Sequence, residues 1–139
     1  MSWLKKALRR AEVVISEADG VRYLHLGGDH IQSAMRIEAA DHLELDYTRT
    51  MMAFLLFHPR PRDCLMIGLG GGSIPKFLFR RLPGVRTRVI ELNPAVITTA
   101  RSLFNVPADS NRPKAELGDG ATTIHGMKEG CDRLFVDRF

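Results

Sequence analysis

The fold is decided by residues 64–91, which read CLMIGLGGGSIPKFLFRRLPGVRTRVIE. An apolar run occupies residues 64–67, and a second strand-like segment occupies residues 87–90. Between them lie a glycine-rich turn at residues 68–73 and an apolar-periodic segment at residues 74–82. This pattern predicts strand, turn, helix and strand in that order. Glycines between a strand and a helix let the backbone turn tightly and approach a ligand, and the N–H groups at the helix start attract its polar or anionic atoms. The turn is therefore the first candidate binding element.

The same alternation continues toward the carboxyl end. Residues 95–104 predict a helix, residues 115–117 a strand, residues 122–128 a short helix and residues 133–136 a fourth strand. Strands that alternate with helices form a parallel sheet with right-handed crossovers. We therefore expect the α/β class, with the first four strands of a Rossmann-like parallel sheet.

The residues before this segment follow a different pattern. Apolar and polar residues alternate at residues 21–26 and 31–37 on either side of a Gly-Gly-Asp turn, which predicts a β-hairpin. Apolar residues then recur at three- and four-residue steps over residues 43–55, which predicts a helix that ends before a Pro-Arg-Pro segment. Residues 3–10 predict one short amphipathic helical turn.

These patterns divide the chain into two predicted units. Residues 1–57 form a small hairpin-plus-helix unit, and residues 58–139 form an incomplete Rossmann-like domain. A complete doubly wound sheet needs further strands, so the chain is expected to be a truncated form of a longer fold. The open edge of the fourth strand can pair with another chain, which predicts self-association as a homodimer.

Composition limits the classes of protein and of partner. The 139 residues are 45% hydrophobic and 26% charged, with a net charge of +4, which is typical of a folded globular domain and too mild to indicate nucleic acid or a membrane surface as a partner. The amino terminus lacks the apolar core of a signal peptide, and no apolar run is long enough to span a bilayer. Two isolated cysteines and five scattered histidines show no metal-ligand spacing. We expect a cytoplasmic protein without a metal site.

Two carboxylates follow predicted strands at the edge where ligands of parallel sheets bind. Glu91 ends the second strand, about twenty residues after the glycine turn, where a carboxylate accepts hydrogen bonds from ribose hydroxyls. Asp119 follows the third strand between Gly118 and Gly120, where a carboxylate can accept from the exocyclic amine of adenine while the glycines leave room for the ring. The pair predicts an adenine nucleoside site. Its candidate contacts are Gly68, Gly70, Gly71, Gly72, Glu91, Asp119 and Gly120.

Two other nucleotide sites fit the glycine turn less well. A phosphate-binding P-loop needs Gly-Lys-Ser or Gly-Lys-Thr, and Lys76 is not preceded by glycine. A nicotinamide dinucleotide site stays open, because Glu91 would suit its ribose as well. Asp119 after the third strand favours a ligand of the S-adenosylmethionine type, and with it the parallel sheet of S-adenosylmethionine-dependent methyltransferases.

Several motifs stand in a characteristic order. They are a hairpin, a Tyr-bearing helix, Met66-Ile67-Gly68, Val89-Ile90-Glu91, Leu117-Gly118-Asp119-Gly120 and a final Val-Asp. In this order they resemble the spermidine synthase (polyamine aminopropyltransferase) family over residues 23–137. The resemblance implies S-adenosylmethionine or its decarboxylated form as ligand, with 5'-methylthioadenosine as product or analogue. It also implies that Gln32 faces the nucleoside, that Tyr47 contacts the acceptor substrate and that Asp137 is the catalytic base for the attacking amine.

The chain departs from the family pattern on the acceptor side. Family members usually carry an aspartate in the glycine loop that holds the amine of the transferred group, and Gly71 stands at that position. A His-Glu pair that helps to bind the polyamine is replaced by Thr48 and Arg49, so a cationic amine would meet a cation. Arg138 and Phe139 do not continue the family segment that follows the base. These departures predict a changed or absent polyamine acceptor.

The sequence therefore predicts an alkyl transferase that binds S-adenosylmethionine or its decarboxylated form as a small nucleoside ligand and has an altered polyamine site. Two alternatives stay open. The spacing of Gly68, Gly70 and Gly72 also fits an ordinary S-adenosylmethionine-dependent methyltransferase. The missing strands fit a non-catalytic nucleoside-binding or assembly protein, because they remove part of the usual acceptor pocket.

Overall fold

The computed structural model describes residues 2–107, 113–128 and 130–137. The amino-terminal segment consists of α1 (Trp3–Arg10), β1 (Val13–Ala18), β2 (Val21–Leu26), β3 (Ile31–Arg36), α2 (Asp46–Met51) and a 3-10 helix (Met52–Leu56). The segment that follows consists of β4 (Asp63–Ile67), α3 (Ser73–Arg81), β5 (Arg86–Glu91), α4 (Pro94–Leu103), β6 (Lys114–Leu117), α5 (Gly120–Gly126) and β7 (Arg133–Val136). The predicted α/β class is confirmed.

The carboxyl-terminal strands form one parallel sheet, as predicted, in the order β6-β5-β4-β7. The chain runs from β4 outward to β6 and then crosses back to place β7 on the other side of β4. Ligands of open parallel sheets bind beyond the carboxyl ends of the strands, at such a reversal of strand order. Because Ile67 and Val136 are partners in the register, the reversal brings the residues that follow them together.

The amino-terminal sheet has three antiparallel strands in the order β1-β2-β3. The predicted hairpin corresponds to β2 and β3, and β1 is an addition to the prediction. Strand β1 joins β2 through Asp19 and Gly20, which both have a positive φ (51° and 77°). This is the backbone of a two-residue hairpin turn, for which Asp-Gly is a strong sequence signal.

The helix predicted over residues 43–55 is shorter and changes its type. It begins only at Asp46, and from Met52 onward it is a 3-10 helix. Arg49 folds back and donates to the carbonyls of Leu43 (2.8 Å) and Glu44 (3.3 Å). The guanidinium of Arg49 thus takes the place of the helical N–H groups to which the carbonyls of residues 43 and 44 would otherwise bond. For this reason the predicted helix begins only at Asp46.

Apolar side chains from both predicted units pack together. One buried cluster contains Leu43 and Met52 beside Met66 of β4, and a second joins Leu24 of β2 to Phe104 at the end of α4. Burial of such apolar area is the main favourable contribution to folding. The two units therefore share a core, and their independence stays a prediction. Within the described ranges, no helix is long and apolar enough to cross a membrane.

Lys76 is buried within the shared core. The residue lies on α3, is 3% exposed, and donates from Nζ to the carbonyl of Phe104 (2.7 Å) at the end of α4. The same nitrogen lies 5.9 Å from the centre of the Phe104 ring. Burial lowers the pKa of Lys76 from 10.5 to about 8, although the charge of Asp41 acts in the opposite direction. A charged lysine is therefore costly at this position at neutral pH.

The pH dependence of stability tests the burial of Lys76. The folded pKa lies below the unfolded one, so the unfolded chain holds the extra proton between pH 8 and 10.5, and the stability that this group contributes rises through that window. The gain is on the order of 3 kcal/mol. Burial raises the pKa of Cys64 to about 11, and this shift lowers the stability of the fold as the pH rises. The contribution of Lys76 is therefore isolated by comparing the native chain with Lys76→Met.

We expect the free energy of unfolding of Lys76→Met, relative to the native chain, to fall by about 3 kcal/mol as the pH rises through this window. Urea unfolding at each pH measures the difference. The exposed Lys128→Met variant is the control, and its difference from the native chain should not change with pH. A constant difference for Lys76→Met would show that this lysine has an ordinary pKa in the folded chain.

Candidate functional site

The glycine turn connects β4 to α3 at the carboxyl end of the sheet. Gly68 has a φ of 91°, and a Cβ there would lie 3.2 Å from the Cβ of Asp137, so only glycine suits this close approach. The N–H of Gly68 donates to the carbonyl of Ile90 (2.8 Å), and the N–H of Asp137 donates to that of Ile67 (2.9 Å). The turn and the residue that follows β7 are therefore held side by side, as the strand order requires.

The two glycines at the end of the turn pack inward. A Cβ on Gly71 would lie 2.6 Å from the Phe104 ring and 2.8 Å from Oγ of Ser33, and a Cβ on Gly72 would collide with Val106. Neither glycine lines the cavities described below. The structure thus packs both glycines against the core, and their contact with a nucleoside stays a prediction. The same contacts leave no room for the aspartate that the family pattern has at residue 71.

Gly71→Ala is expected to destabilise the fold by about 2 kcal/mol, because the added methyl group must displace the Phe104 ring or Ser33 in a close-packed core. Gly84→Ala is the matched control, since nothing lies within 4 Å of its added Cβ and its φ is not positive. The control should be neutral or slightly stabilising. Chemical denaturation compares the two variants, and equal midpoints would contradict the packing described for the turn.

Glu91 is fixed by backbone N–H groups at the end of β5. Its Oε2 accepts from the N–H of Leu69 (2.8 Å) in the glycine turn, and its Oε1 accepts from the N–H of Asn93 (2.9 Å). The residue is 5% exposed. A carboxylate oxygen can accept more than one hydrogen bond, so Glu91 keeps acceptor capacity toward the cavities that it lines.

Asp119 caps α5 and also holds α1. Its Oδ1 accepts from the N–H groups of Ala121 (2.9 Å) and Thr122 (3.4 Å), so the helix begins at Gly120, earlier than predicted. Its Oδ2 accepts from Nζ of Lys5 (2.6 Å). Hydrogen bonds from Lys5 and from the α5 backbone keep the pKa of the carboxyl below its usual value. The candidate contact with adenine therefore already has three hydrogen-bond partners.

Three residues beside the site were not predicted from the sequence: Lys5, Leu8 and Asn93. Nδ2 of Asn93 donates to the carbonyls of Leu8 (3.0 Å) and Ala11 (2.9 Å), and its Oδ1 caps α4. The Asn-Pro dipeptide is a sequence signal for the α4 cap. It carries no signal for the contact with α1, because the partners lie 82 and 85 residues away in the chain.

Two small cavities lie at the carboxyl end of the sheet. The inner cavity, of about 20 Å³, is lined by Leu24, Leu26, Gln32, Gly68, Gly70, Glu91, Val96 and Asp137. The α1 cavity, of about 170 Å³, is lined among others by Lys5, Leu8, Gly68, Glu91, Asp119 and Gly120. Gly68 and Glu91 line both cavities, so the two cavities adjoin at the glycine turn and the β5 carboxylate. Most of the predicted nucleoside contacts therefore converge on one place.

A third space, the outer groove of about 600 Å³, opens beside the inner cavity. It is lined among others by Gly27, His30, Gln32, Tyr47, Met51 and Asp137. Gln32 and Asp137 line the inner cavity as well. The hydroxyl of Tyr47 donates to the carbonyl of Gln32 (3.3 Å), and burial together with the charge of Asp137 raises the pKa of Tyr47 to about 12. Tyr47 is therefore a neutral donor beside a carboxylate at pH 7.

Thr48 and Arg49 do not line the outer groove. Thr48 is buried, and its hydroxyl donates to the carbonyl of Leu45. Arg49 is bound to Oδ1 of Asp46 (2.7 Å) and to the backbone before α2. The guanidinium of Arg49 is thus held away from the outer groove, and its encounter with a cationic acceptor stays a prediction. The further departures at residues 138–139 lie outside the described residues.

A wider groove, of about 980 Å³, lies toward the amino ends of β4, β5 and β6. It is lined among others by Asp63, Arg86, Arg88, Lys114 and Glu116. Ligands of parallel sheets bind at the carboxyl ends, so strand polarity argues against this groove as the nucleoside site. In the part of the chain that the structure describes, no group of three or more His, Cys, Asp or Glu side chains could hold a metal ion.

The parallel sheet with reversed strand order, the glycine turn and the strand-end carboxylates define a Rossmann-like α/β domain of the methyltransferase type. The chain is 39% identical over 128 residues to the polyamine aminopropyltransferase of Chromobacterium violaceum and 40% identical over 129 residues to that of Neisseria meningitidis serogroup A. It belongs to the polyamine aminopropyltransferase (spermidine synthase) family. Each alignment covers 92% of the chain and 49% of the relative, so the chain spans about half the length of the curated relatives it matches. No protein-family model matches it.

Solved structures agree with this fold. A probable spermidine synthase from Corynebacterium glutamicum has a TM-score of 0.81 at 18% identity, over 94% of this chain and 50% of that one. A spermidine synthase in complex with the transition state analogue AdoDATO has a TM-score of 0.66 at 21% identity, over 90% and 47%. Human methyltransferase-like protein 13 in complex with SAH has a TM-score of 0.58 at 26% identity, over 67% and 47%. The predicted spermidine synthase-like, methyltransferase-type fold is confirmed.

Proposed function

We propose that the chain binds the adenosyl part of S-adenosylmethionine or decarboxylated S-adenosylmethionine and transfers the alkyl group on its sulfur to an amine. One observation carries the proposal. Asp137 lines both the inner cavity, which it shares with Gly68 and Glu91, and the outer groove, which it shares with Tyr47. A carboxylate between a nucleoside site and an open groove is suitably placed to act on an acceptor that enters from the groove.

The nucleoside end of the ligand is assigned to the strand-end carboxylates. Glu91, held by two backbone N–H groups, would accept from the ribose hydroxyls. Asp119 would accept from the exocyclic amine of adenine, with Gly120 leaving room for the ring. Gln32 and the backbone at Gly68 and Gly70 would line the path of the sulfur substituent. The sulfonium would then lie beside Asp137.

The transfer needs little chemistry from the protein. The lone pair of the acceptor amine attacks the carbon attached to the sulfonium, a C–N bond forms, and the electrons of the C–S bond stay on sulfur. The proton of the amine passes to Asp137, and 5'-methylthioadenosine leaves when the donor is decarboxylated S-adenosylmethionine. Proton removal by a positioned carboxylate contributes about two to four orders of magnitude in rate.

The acceptor site is proposed to differ from that of other family members. The family pattern has an aspartate at residue 71 and a His-Glu pair after the tyrosine, where the chain has Gly71, Thr48 and Arg49, none of which lines the outer groove. The outer groove instead offers Asp137 beside the neutral phenol of Tyr47. We infer that the acceptor is an amine with fewer cationic groups than a polyamine.

A second candidate function is transfer of a methyl group from S-adenosylmethionine. The fold of human methyltransferase-like protein 13, whose structure is a complex with SAH, favours it at 26% identity. The same site would serve, since the adenosyl part of the ligand is unchanged. The two functions differ in the group on sulfur and in the nucleoside product that is released.

Product analysis separates the candidate functions. The native chain is incubated with decarboxylated S-adenosylmethionine and putrescine, and separately with S-adenosylmethionine and a panel of amines. Release of 5'-methylthioadenosine supports aminopropyl transfer, and release of S-adenosylhomocysteine supports methyl transfer. Binding of both donors without either product would leave a non-catalytic nucleoside-binding protein.

Assembly and location remain predictions. Strand β7 lies at the edge of the parallel sheet, and its Leu134 and Val136 are 43% and 56% exposed. An open strand edge with apolar side chains favours pairing with a second copy of the chain. A homodimer that binds a small nucleoside in the cytoplasm is the assembly that we propose.

A further inference from the structure

Helix α1 lies over the candidate nucleoside site. Nζ of Lys5 donates to Oδ2 of Asp119 (2.6 Å), and Leu8, one helical turn later, lines the α1 cavity with Glu91. Oδ1 of Asp119 already accepts from the start of α5. Nζ of Lys5 therefore lies against Oδ2, the oxygen without a partner from α5, where the exocyclic amine of a nucleobase would have to approach.

The attachment of α1 is weak. None of its residues is buried, and its apolar Trp3 and Leu4 are 81% and 58% exposed. Asn93 holds its carboxyl end, while toward its amino end it is held by the ion pair of Lys5 and Asp119, whose side chains are 38% and 19% exposed. Exposed ion pairs contribute little, and elements with few buried contacts open at low cost in free energy.

The α1 cavity, which Lys5 and Leu8 of α1 line, is too small for a nucleoside. It measures about 170 Å³, and the inner cavity beside it, which no α1 residue lines, measures about 20 Å³. Sites for cofactors and other small molecules usually measure about 300–1,000 Å³. An adenosyl ligand therefore needs one wall to move, and α1 is a wall that contributes no buried residue.

We infer that α1 is an intramolecular cover of the nucleoside site, in which Lys5 occupies Asp119 until an adenosyl ligand displaces it. The inference rests on the proposed function, because the adenosyl ligand is the competitor. The hydrogen bonds from Asn93 keep the carboxyl end of α1 tethered while its amino-terminal part moves. The cover lowers the apparent affinity for the ligand in proportion to the fraction of molecules in which it is open.

Three variants and one neutral ligand test the cover. 5'-Methylthioadenosine carries no charge, so removal of a lysine charge leaves its electrostatic attraction to the site unchanged. Lys5→Met should bind it about 2- to 5-fold more tightly than the native chain, because the closed form loses one exposed ion pair. Lys5→Arg keeps the pair and should match the native chain. Lys6→Met removes the same charge from an exposed neighbour and should also match it.

The position of α1 can be followed directly. Trp3 is the single tryptophan of the chain and lies on α1, so its fluorescence anisotropy reports the motion of this helix. Saturating 5'-methylthioadenosine should lower the anisotropy of Trp3. Lys5→Met should show part of that decrease without ligand.

The outcomes distinguish the cover from the proposed function. Tighter binding by Lys5→Met, with a ligand-dependent decrease in Trp3 anisotropy, supports the cover. Equal affinities of Lys5→Met and the native chain, or an anisotropy that the ligand does not lower, would overturn the cover and leave the proposed function standing. Failure of every adenosyl compound to bind both the native chain and Lys5→Met would overturn both.

Discussion

Asp137→Asn is expected to slow alkyl transfer from the sulfonium donor to an amine by about two to four orders of magnitude. The side chain lies where the inner cavity meets the outer groove, so it would reach both the acceptor nitrogen and the donor. An amide of the same shape cannot take the proton from the attacking amine. The affinity for the nucleoside should change little, because ribose and adenine are assigned to other residues. Initial rates of 5'-methylthioadenosine formation at saturating donor measure the loss.

The control for this variant is Asp46→Asn, which removes a carboxylate whose side chain is 95% exposed and which pairs only on the surface with Arg49. It should keep the native rate. If Asp137→Asn transferred the alkyl group as fast as the native chain, Asp137 would be a strand-end residue without a part in proton transfer. A loss of both rate and nucleoside affinity would assign it to binding instead.

Glu91→Gln is expected to weaken the binding of any adenosyl compound about 100-fold or more. Hydrogen bonds to a charged acceptor contribute about 1.5–3 kcal/mol each, and ribose offers two hydroxyls. The carboxylate is also held in place by the N–H groups of Leu69 and Asn93, and an amide can accept from only one of them through its single oxygen. Equilibrium dialysis with labelled 5'-methylthioadenosine measures the affinity.

A destabilised fold could imitate that result, so the control must report folding as well as binding. Glu91→Gln leaves a buried N–H without its partner, which costs about 1–3 kcal/mol, and thermal melting shows whether the variant is folded at the assay temperature. Glu116→Gln makes the same change on the neighbouring strand β6, where the carboxylate pairs with Arg88 away from both cavities. It should bind like the native chain. Native affinity in folded Glu91→Gln would remove Glu91 from the site.

The parallel sheet could be predicted from the sequence because its signals are local. Strands β4 and β7 contain short apolar runs, β5 contains the Val89-Ile90 pair, and helical patterns separate the strands from β4 to β7. Strand β1 escaped prediction because its apolar and polar residues alternate only weakly, and the Asp-Gly turn that marks it at residues 19–20 was the signal available. The change from α2 to a 3-10 helix at Met52 has no counterpart in the apolar spacing.

The candidate site was predictable as far as it depends on strand ends. Glu91 ends β5 and Asp137 follows β7, so topology brings them to one edge of the sheet. The role of Gly71 could not be separated from that of Gly68, since a close approach to a ligand and a close approach to the core both require glycine. The ion pair of Lys5 with Asp119 joins residues 114 positions apart, and no local pattern encodes it.

An adenosyl compound is expected to bind at the carboxyl ends of β4 and β5. Calorimetric titration of the native chain with 5'-methylthioadenosine measures this binding, with S-adenosylmethionine and its decarboxylated form titrated in parallel. Saturable binding with one nucleoside per chain is the expected result. Heats of dilution alone for all three compounds would rule out a nucleoside site at this edge of the sheet.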